Sequence, residues 1–126
     1  MEKYIDIAID EALKSDHRHK IGCVIFSKKS LLSKGHNTSQ KTKKKLHPKY
    51  LKWENSIHAE VDAIINARTD LKDACMLVIR INRDKVFRLA KPCKNCMMYI
   101  NHVGIKKVYY SINGYPYFES IKRRDF

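Results

Sequence analysis

The sequence predicts an α/β fold, a mixed β-sheet flanked by helices. Three observations lead there. Apolar residues recur at helical spacing near the N-terminus, after His58 and after Cys93. Short apolar runs rich in β-branched residues stand between those segments. The resulting order, helix, strand, strand, loop, helix, strand, helix, strand, is one that a helix-covered sheet accommodates. The first two strands are close enough for an antiparallel hairpin, whereas the last two can run parallel through a helical crossover.

Residues 2–15 read as an amphipathic helix. Ile5, Ala8, Ile9, Ala12 and Leu13 form its apolar face, and Glu2, Asp6, Asp10 and Lys14 fall among the remaining positions. Ile21 to Phe26 reads as a buried strand, Ser27 to Ser30 as a turn, and the next residues as a second strand ending near Asn37. Residues 38–56 show no periodicity; Lys41, Lys43, Lys44, Lys45, Lys49 and Lys52 fall there with no acid before Glu54, and Pro48 prevents one regular element. His58 to Arg68 returns to helical spacing, with Val61, Ile64 and Ile65 on the buried side. Met76 to Ile81 is a strand, followed by the polar turn Asn82 to Lys85. Pro92 suits the first turn of a helix running from Cys93 to Val103 and stopped by Gly104. Ile105 to Tyr110 is a further strand, and the tail through Lys122-Arg123-Arg124 is expected to form a short final helix.

A chain of 126 residues fits one domain, 1–126, with room for a core but not for a second unit. No stretch approaches the roughly 18 consecutive apolar residues of a membrane helix. Met1 to Asp6 lacks the basic-then-apolar layout of a secretory leader, so the expected setting is soluble, intracellular and cytoplasmic, with no membrane partner. The Lys/Arg runs are compatible with a nuclear location as well. In such a reducing compartment the four cysteines read as metal ligands or core residues rather than disulfides. The 26 basic residues against 13 acidic give a net charge of +13, which attracts polyanions or phosphorylated substrates. The lesser alternative is a Lys-, Asn- and Ile-rich composition inherited from an AT-biased genome.

His58-Ala59-Glu60 and Pro92-Cys93-Lys94-Asn95-Cys96, with 31 residues between Glu60 and Pro92, carry the chemistry. One imidazole and two thiols are a zinc-competent donor set, and catalytic zinc keeps three protein ligands with a fourth position for water or substrate. Glu60 is then the spare carboxylate that a zinc-activated water needs. Cys93 and Cys96, three apart in an opening helical turn, share one face, and the positive end of the helix favours thiolate there. Residues two apart do not share a face in mid-helix, so His58 and Glu60 can flank one ion only from the opening of their helix. A lone Cys-x-x-Cys also occurs in redox sites and structural zinc ribbons. The redox reading leaves His58 and Glu60 without a role. The structural reading needs a fourth ligand that neither Cys23, Cys75 nor the other five histidines supply by spacing. Cys23 and Cys75 read as small buried residues.

With these residues the chain resembles the zinc-dependent cytidine/deoxycytidylate deaminase superfamily, whose signature pairs His-x-Glu with Pro-Cys-x-x-Cys. Lys20 to Ile25 is similar to the first strand of that family. Gly35-His36-Asn37 is similar to its turn bearing a substrate-contacting asparagine, and Gly104 to Tyr110 to the strand after the cysteine helix. The resemblance covers most of residues 1–112 and implies the three-layer fold of cytidine deaminases. It implies one catalytic Zn2+ on His58, Cys93 and Cys96, with water as fourth ligand and Glu60 as proton shuttle. Asn37 would contact sugar or base, and the Ala59 backbone N–H the base. Zinc lowers the pKa of bound water to about 7, and hydroxide would attack C4 of cytosine after Glu60 protonates the ring nitrogen. The chain departs from many members at Arg88 to Lys91, at Met97, and in the long interval between its two motifs.

Three substrate readings follow. The favoured one is cytosine within single-stranded nucleic acid, because the +13 charge and the lysines between Asn37 and His58 suit a polyanion. Lys43, Lys44, Lys45 and Lys49 would contact the backbone. Tyr110, Tyr115, Tyr117 and Phe118 fall where related polynucleotide deaminases place a base-reading loop; the alternative is that they pack the tail onto the sheet. The second reading is a free-nucleotide dCMP or CMP deaminase, with adenosine deamination in RNA as a subsidiary form. The third is a catalytically silent zinc domain that binds nucleic acid, against which the intact Glu60 argues.

Overall fold

The computed structural model describes residues 1–28, 30–38, 58–114 and 118–126. Among these the chain forms α1 (Glu2–Leu13), β1 (Lys20–Phe26), β2 (Leu31–His36), α2 (Ala59–Asn66), β3 (Cys75–Ile81), β4 (Phe87–Arg88), α3 (Lys94–His102), β5 (Lys107–Ser111) and β6 (Phe118–Lys122), then a 3₁₀ turn at Arg123–Asp125. The strands make one sheet in the order β2-β1-β3-β5-β6, with β4 paired to β3. β1 and β2 form the expected antiparallel hairpin, in which Cys23 faces Gly35. β1 is also antiparallel to β3, and β3 is parallel to β5, with α3 in the crossover.

Strand periodicity sorts the side chains into two cores. On one face Val24, Leu77, Ile79 and Ile81 pack under Ala8 and Ala12 of α1. On the other, Cys23, Ile25, Met76, Val78, Val108 and Tyr110 pack beneath α2 and α3, which contribute Ala59, Ala63, Ile64, Cys96 and Ile100. The result is helix, sheet and helix in three layers, as the sequence predicts. Two glycines set how closely the layers approach. A Cβ on Gly22 would stand 1.9 Å from the Ala8 carbonyl oxygen, and one on Gly35 would stand 2.4 Å from the Ala63 nitrogen. Ser33 strengthens the second contact by donating its hydroxyl to the Ala63 carbonyl at 2.6 Å.

The tail departs from expectation. Residues Phe118–Lys122 are strand β6, antiparallel to β5, and only Arg123–Asp125 coil into a 3₁₀ turn. Pairing with an existing edge offers the tail a full hydrogen-bond ladder, which a helix of that length would not match. Phe118 belongs to this strand and packs on Phe87, ring centroids 5.9 Å apart, so it fastens the tail to the sheet. The two-residue strand β4 has no sequence signal of its own. Pro92 precedes the N-cap of α3 instead of occupying its first turn, because Cys93 takes the cap position. Gly35 and His36 lie within β2, with Asn37 just beyond it, so they are strand rather than turn. Leu13 is exposed, while Glu11 is buried.

Glu11 is held by Lys14 at 2.7 Å and by the His36 ring at 3.0 Å, joining α1 to β2. Burial pushes its carboxyl up, but hydrogen bonds from Lys14 and His36 outweigh that and leave it below the ordinary carboxylate value. A carboxyl lowered in the folded state adds stability above the unfolded value of about 4.3 and loses it as pH falls through the folded value. Denaturant melts should therefore show the wild type losing stability between about pH 5 and pH 3, and Glu11→Gln losing less over the same window. Gly35→Ala should cost about 1–3 kcal/mol by overpacking. Its denaturation midpoint should fall well below that of a surface control such as Lys34→Ala.

Candidate active site

α2 and α3 begin side by side, and each is capped by a metal-competent residue. His58 is the N-cap of α2, with φ −74° and ψ 153°. Its extended backbone frees the imidazole from the helical repeat, which is how His58 and Glu60 reach one place despite being two apart. Cys93 is the N-cap of α3, with φ −70° and ψ 167°, and its sulfur accepts the Cys96 backbone N–H at 3.5 Å. A side chain accepting from the third helical N–H is the usual capping contact, here made by sulfur in place of oxygen. The two cysteines and the histidine converge: His58 Nδ1 lies 3.1 Å from Cys96 Sγ and 3.7 Å from Cys93 Sγ. All three donor atoms lie within 4.8 Å of one another.

The donor set fits zinc. Zn–S bonds of about 2.3 Å and Zn–N bonds of about 2.05 Å give a tetrahedral N···S edge near 3.6 Å, which the two observed N···S distances bracket. The charges agree as well. The hydrogen bond from Cys96, with a second from His58, brings the Cys93 thiol down to about 4, so this sulfur is a thiolate at neutral pH. Its hydrogen bond to Cys93 and its burial hold the Cys96 thiol well above the usual range. The two sulfurs thus share a proton, which a divalent cation displaces on binding. One catalytic Zn2+ on His58, Cys93 and Cys96 is what this geometry accommodates.

Glu60 sits in the first turn of α2, 4% exposed. Burial raises its carboxyl, opposed in part by a backbone hydrogen bond and by His58, and it interacts with the Cys96 side chain. A buried carboxyl whose proton affinity is raised by desolvation, adjacent to the ligand sulfurs, is suited to receive and return a proton. Asp62, also buried, accepts the His36 backbone N–H at 3.0 Å and ties α2 to the end of β2.

The remaining sequence-derived candidates fall in different places. Asn37 shares a cleft with His58, and both ends of its side-chain amide are engaged: Oδ1 accepts Ile21 N–H at 3.0 Å and Nδ2 donates to the His19 carbonyl. Ala59 is the fully buried first residue of α2. Tyr110 is 5% exposed in β5, and its hydroxyl donates to Glu119 at 2.9 Å. Lys43, Lys44, Lys45, Lys49 and Tyr115 lie outside the described residues. Cys23 is a fully buried core residue, its thiol pushed up by burial. The sequence reading missed His17, His19 and Arg80, which line the same cleft as His58. The available signal was Arg80, a charge near the end of the otherwise apolar run Cys75–Ile81.

A family model described as the cytidine and deoxycytidylate deaminase zinc-binding region matches residues 1–112. The chain belongs to this family. Among solved structures it is similar to the dCMP deaminase of cyanophage S-TIM5 in apo form, at 23% identity and TM-score 0.64, covering 86% of this chain and 79% of that one. The same phage enzyme in complex with dCMP and dUMP gives 21% identity and TM-score 0.62, over 86% of this chain and 78% of that one. A diaminohydroxyphosphoribosylaminopyrimidine deaminase/5-amino-6-(5-phosphoribosylamino)uracil reductase from Thermotoga maritima gives 23% identity and TM-score 0.54, over 86% of this chain but 28% of that one. These likenesses show the deaminase fold. No curated protein sequence matches the chain.

Family membership and donor geometry set the same test. Purified protein should carry about one zinc per chain. His58→Ala and Cys96→Ser should each lose most of it by metal analysis. Chelation of the wild type should lower its melting temperature, because binding free energy to the folded state is folding free energy. An unchanged melting temperature after complete zinc removal would contradict this site.

Proposed function

We propose that the chain is a zinc-dependent hydrolytic deaminase converting the cytosine of a free pyrimidine nucleotide, dCMP or CMP, to uracil with release of ammonia. The observation that carries this reading is the buried carboxyl of Glu60 against the His58–Cys93–Cys96 group. Bound zinc would supply an acidified water as the nucleophile for C4. The rest of the chemistry falls to side chains of this chain. Glu60 takes one proton from the water and gives it to the ring nitrogen N3, then takes the remaining hydroxyl proton as the C4 carbonyl forms and passes it to the departing 4-amino group, which leaves as ammonia. Burial raises its affinity for protons, which favours their capture, and keeps bulk water from competing. His58 and Cys96 are held by α2 and α3, so the carboxyl and the donor atoms keep their spacing through the cycle.

The polynucleotide reading moves to second place. It rests on the net charge of +13 and on lysines beyond the described residues. Tyr110, offered for base stacking, is instead buried in the sheet. The likeness to the cyanophage dCMP deaminase, in apo form and in complex with dCMP and dUMP, supports a mononucleotide.

Ammonia release and ultraviolet absorbance with dCMP, beside sequencing of a mixed-context single-stranded oligonucleotide, separate the two. Turnover of dCMP that barely changes with salt is the expected result. Conversion confined to the oligonucleotide, falling steeply as salt rises, would restore the polynucleotide reading. Glu60→Ala should retain zinc and lose about 10²–10⁴-fold in kcat, the usual worth of a positioned acid–base group. Near-wild-type turnover by the zinc-replete variant would exclude the proposed proton path.

A further inference from the structure

Resting on the deaminase reading of the same cleft, we propose that Arg80, at a rim shared with His17 and His19, binds the 5′-phosphate of the nucleotide whose cytosine meets Glu60. Among the described residues, the cleft that reaches His58 is lined by His17, His19, Ile21, Asn37 and Arg80, and none of these is an acid. Strand parity puts Arg80 on the same face of β3 as the buried Met76 and Val78, which is the face covered by α2 and α3. An arginine at that register position extends the core surface outward as a cation at the end of the strand, beside the helix that carries His58 and Glu60.

Two features mark the position as arranged for an anion. In the ladder between β3 and β4, Arg80 is paired directly with Arg88. Like charges facing each other across antiparallel strands are destabilising, and an anion between or beside them relieves the cost. The Arg80 guanidinium also lies 2.8 Å from His19 Nδ1, a contact that occupies part of its fork and fixes its direction. Arginine presents five N–H donors in a planar fork that matches phosphate oxygens, so donors remain after the histidine contact.

The turn that shares this rim with Arg80 is a built one. His17 N–H donates to Ser15 Oγ at 3.0 Å, and His19 N–H donates to His17 Nδ1 at 3.1 Å. Ser15 Oγ in turn donates to the Asn37 carbonyl at 2.8 Å, and the Asn37 amide donates to the His19 carbonyl. Asn37 therefore fastens the His17–His19 turn to the start of β1 and to the wall of the site. A phosphate monoester is the chemistry these groups suit: a small dianion reached by one fixed guanidinium and two imidazole edges. A neutral nucleoside has nothing to place there.

The test uses zinc-loaded Glu60→Gln protein, so that binding is read without turnover, with Arg80 intact or replaced. Titration calorimetry would compare dCMP, deoxycytidine and a cytosine-centred trinucleotide. With Arg80 intact, dCMP should bind about 10- to 100-fold more tightly than deoxycytidine, the worth of charge-assisted hydrogen bonds. Arg80→Gln should erase that preference while leaving deoxycytidine affinity unchanged and the melting temperature no lower, since it also relieves the repulsion from Arg88, and Arg80→Lys should restore part of the preference as a point charge. Equal binding of dCMP and deoxycytidine with Arg80 intact, or a dCMP preference that survives Arg80→Gln, would overturn the assignment. A loss seen only with the trinucleotide would place an internal phosphodiester at Arg80 and overturn the monoester form. The deaminase reading fails separately: wild-type zinc protein that binds dCMP through Arg80 but releases no ammonia would refute the reaction and leave the phosphate contact standing.

Discussion

The start of α2 beside the start of α3, on one face of the sheet, is the constraint on which the rest of the structure depends. Three donor atoms come within 4.8 Å only because each helix is entered through a residue with extended backbone that is also a metal-competent side chain. Helix starts are rich in unpaired N–H groups and partial positive charge, so they favour anions. Cys93 uses both properties, accepting an N–H from its own helix and remaining ionised. The sheet supplies the stiffness: α2 lies directly on β2 at Gly35, and α3 spans the crossover between β3 and β5.

The same arrangement explains an eight-residue helix that buries two carboxylates. Glu60 and Asp62 both lie in the first turn of α2 and are both buried. A buried acid is costly unless it is hydrogen-bonded or changes its protonation. The two resolve the cost differently. Asp62 accepts a backbone N–H from His36 and acts as a brace between layers. Glu60 has its proton affinity raised by burial, opposed in part by a backbone hydrogen bond and by His58. One short element thus carries a bracing acid and, two positions before it, the acid that the proposed reaction uses for proton transfer.

Much of this was legible in the sequence because it follows from local periodicity and spacing. The first hairpin, α2, β3 and α3 with its stop at Gly104 each have a repeat or a terminator to announce them, and His58, Glu60, Cys93 and Cys96 stand in recognisable intervals. What escaped depends on long-range partners. β6 forms because β5 offers an edge, and neither Phe118 nor Lys122 shows that edge in its own neighbourhood. The burial of Glu11 follows from Lys14 and His36, the latter on another element. Arg80 joins the site through the turn at His17 and His19, about sixty positions away in sequence.

Gly22 and Gly35 sit on neighbouring strands but open toward opposite helices, α1 and α2. They lie one rung apart in the hairpin, since Gly22 faces His36 and Cys23 faces Gly35. Sliding either strand by one residue turns every side chain to the other face. A slipped β1 would set Ile21 or Cys23 against the Ala8 carbonyl, and a slipped β2 would set Lys34 or His36 against the Ala63 amide. Neither helix could then seat. The two notches act together as a lock with one key, so that only a correctly paired hairpin can acquire both outer layers and, with them, the residues that hold the metal.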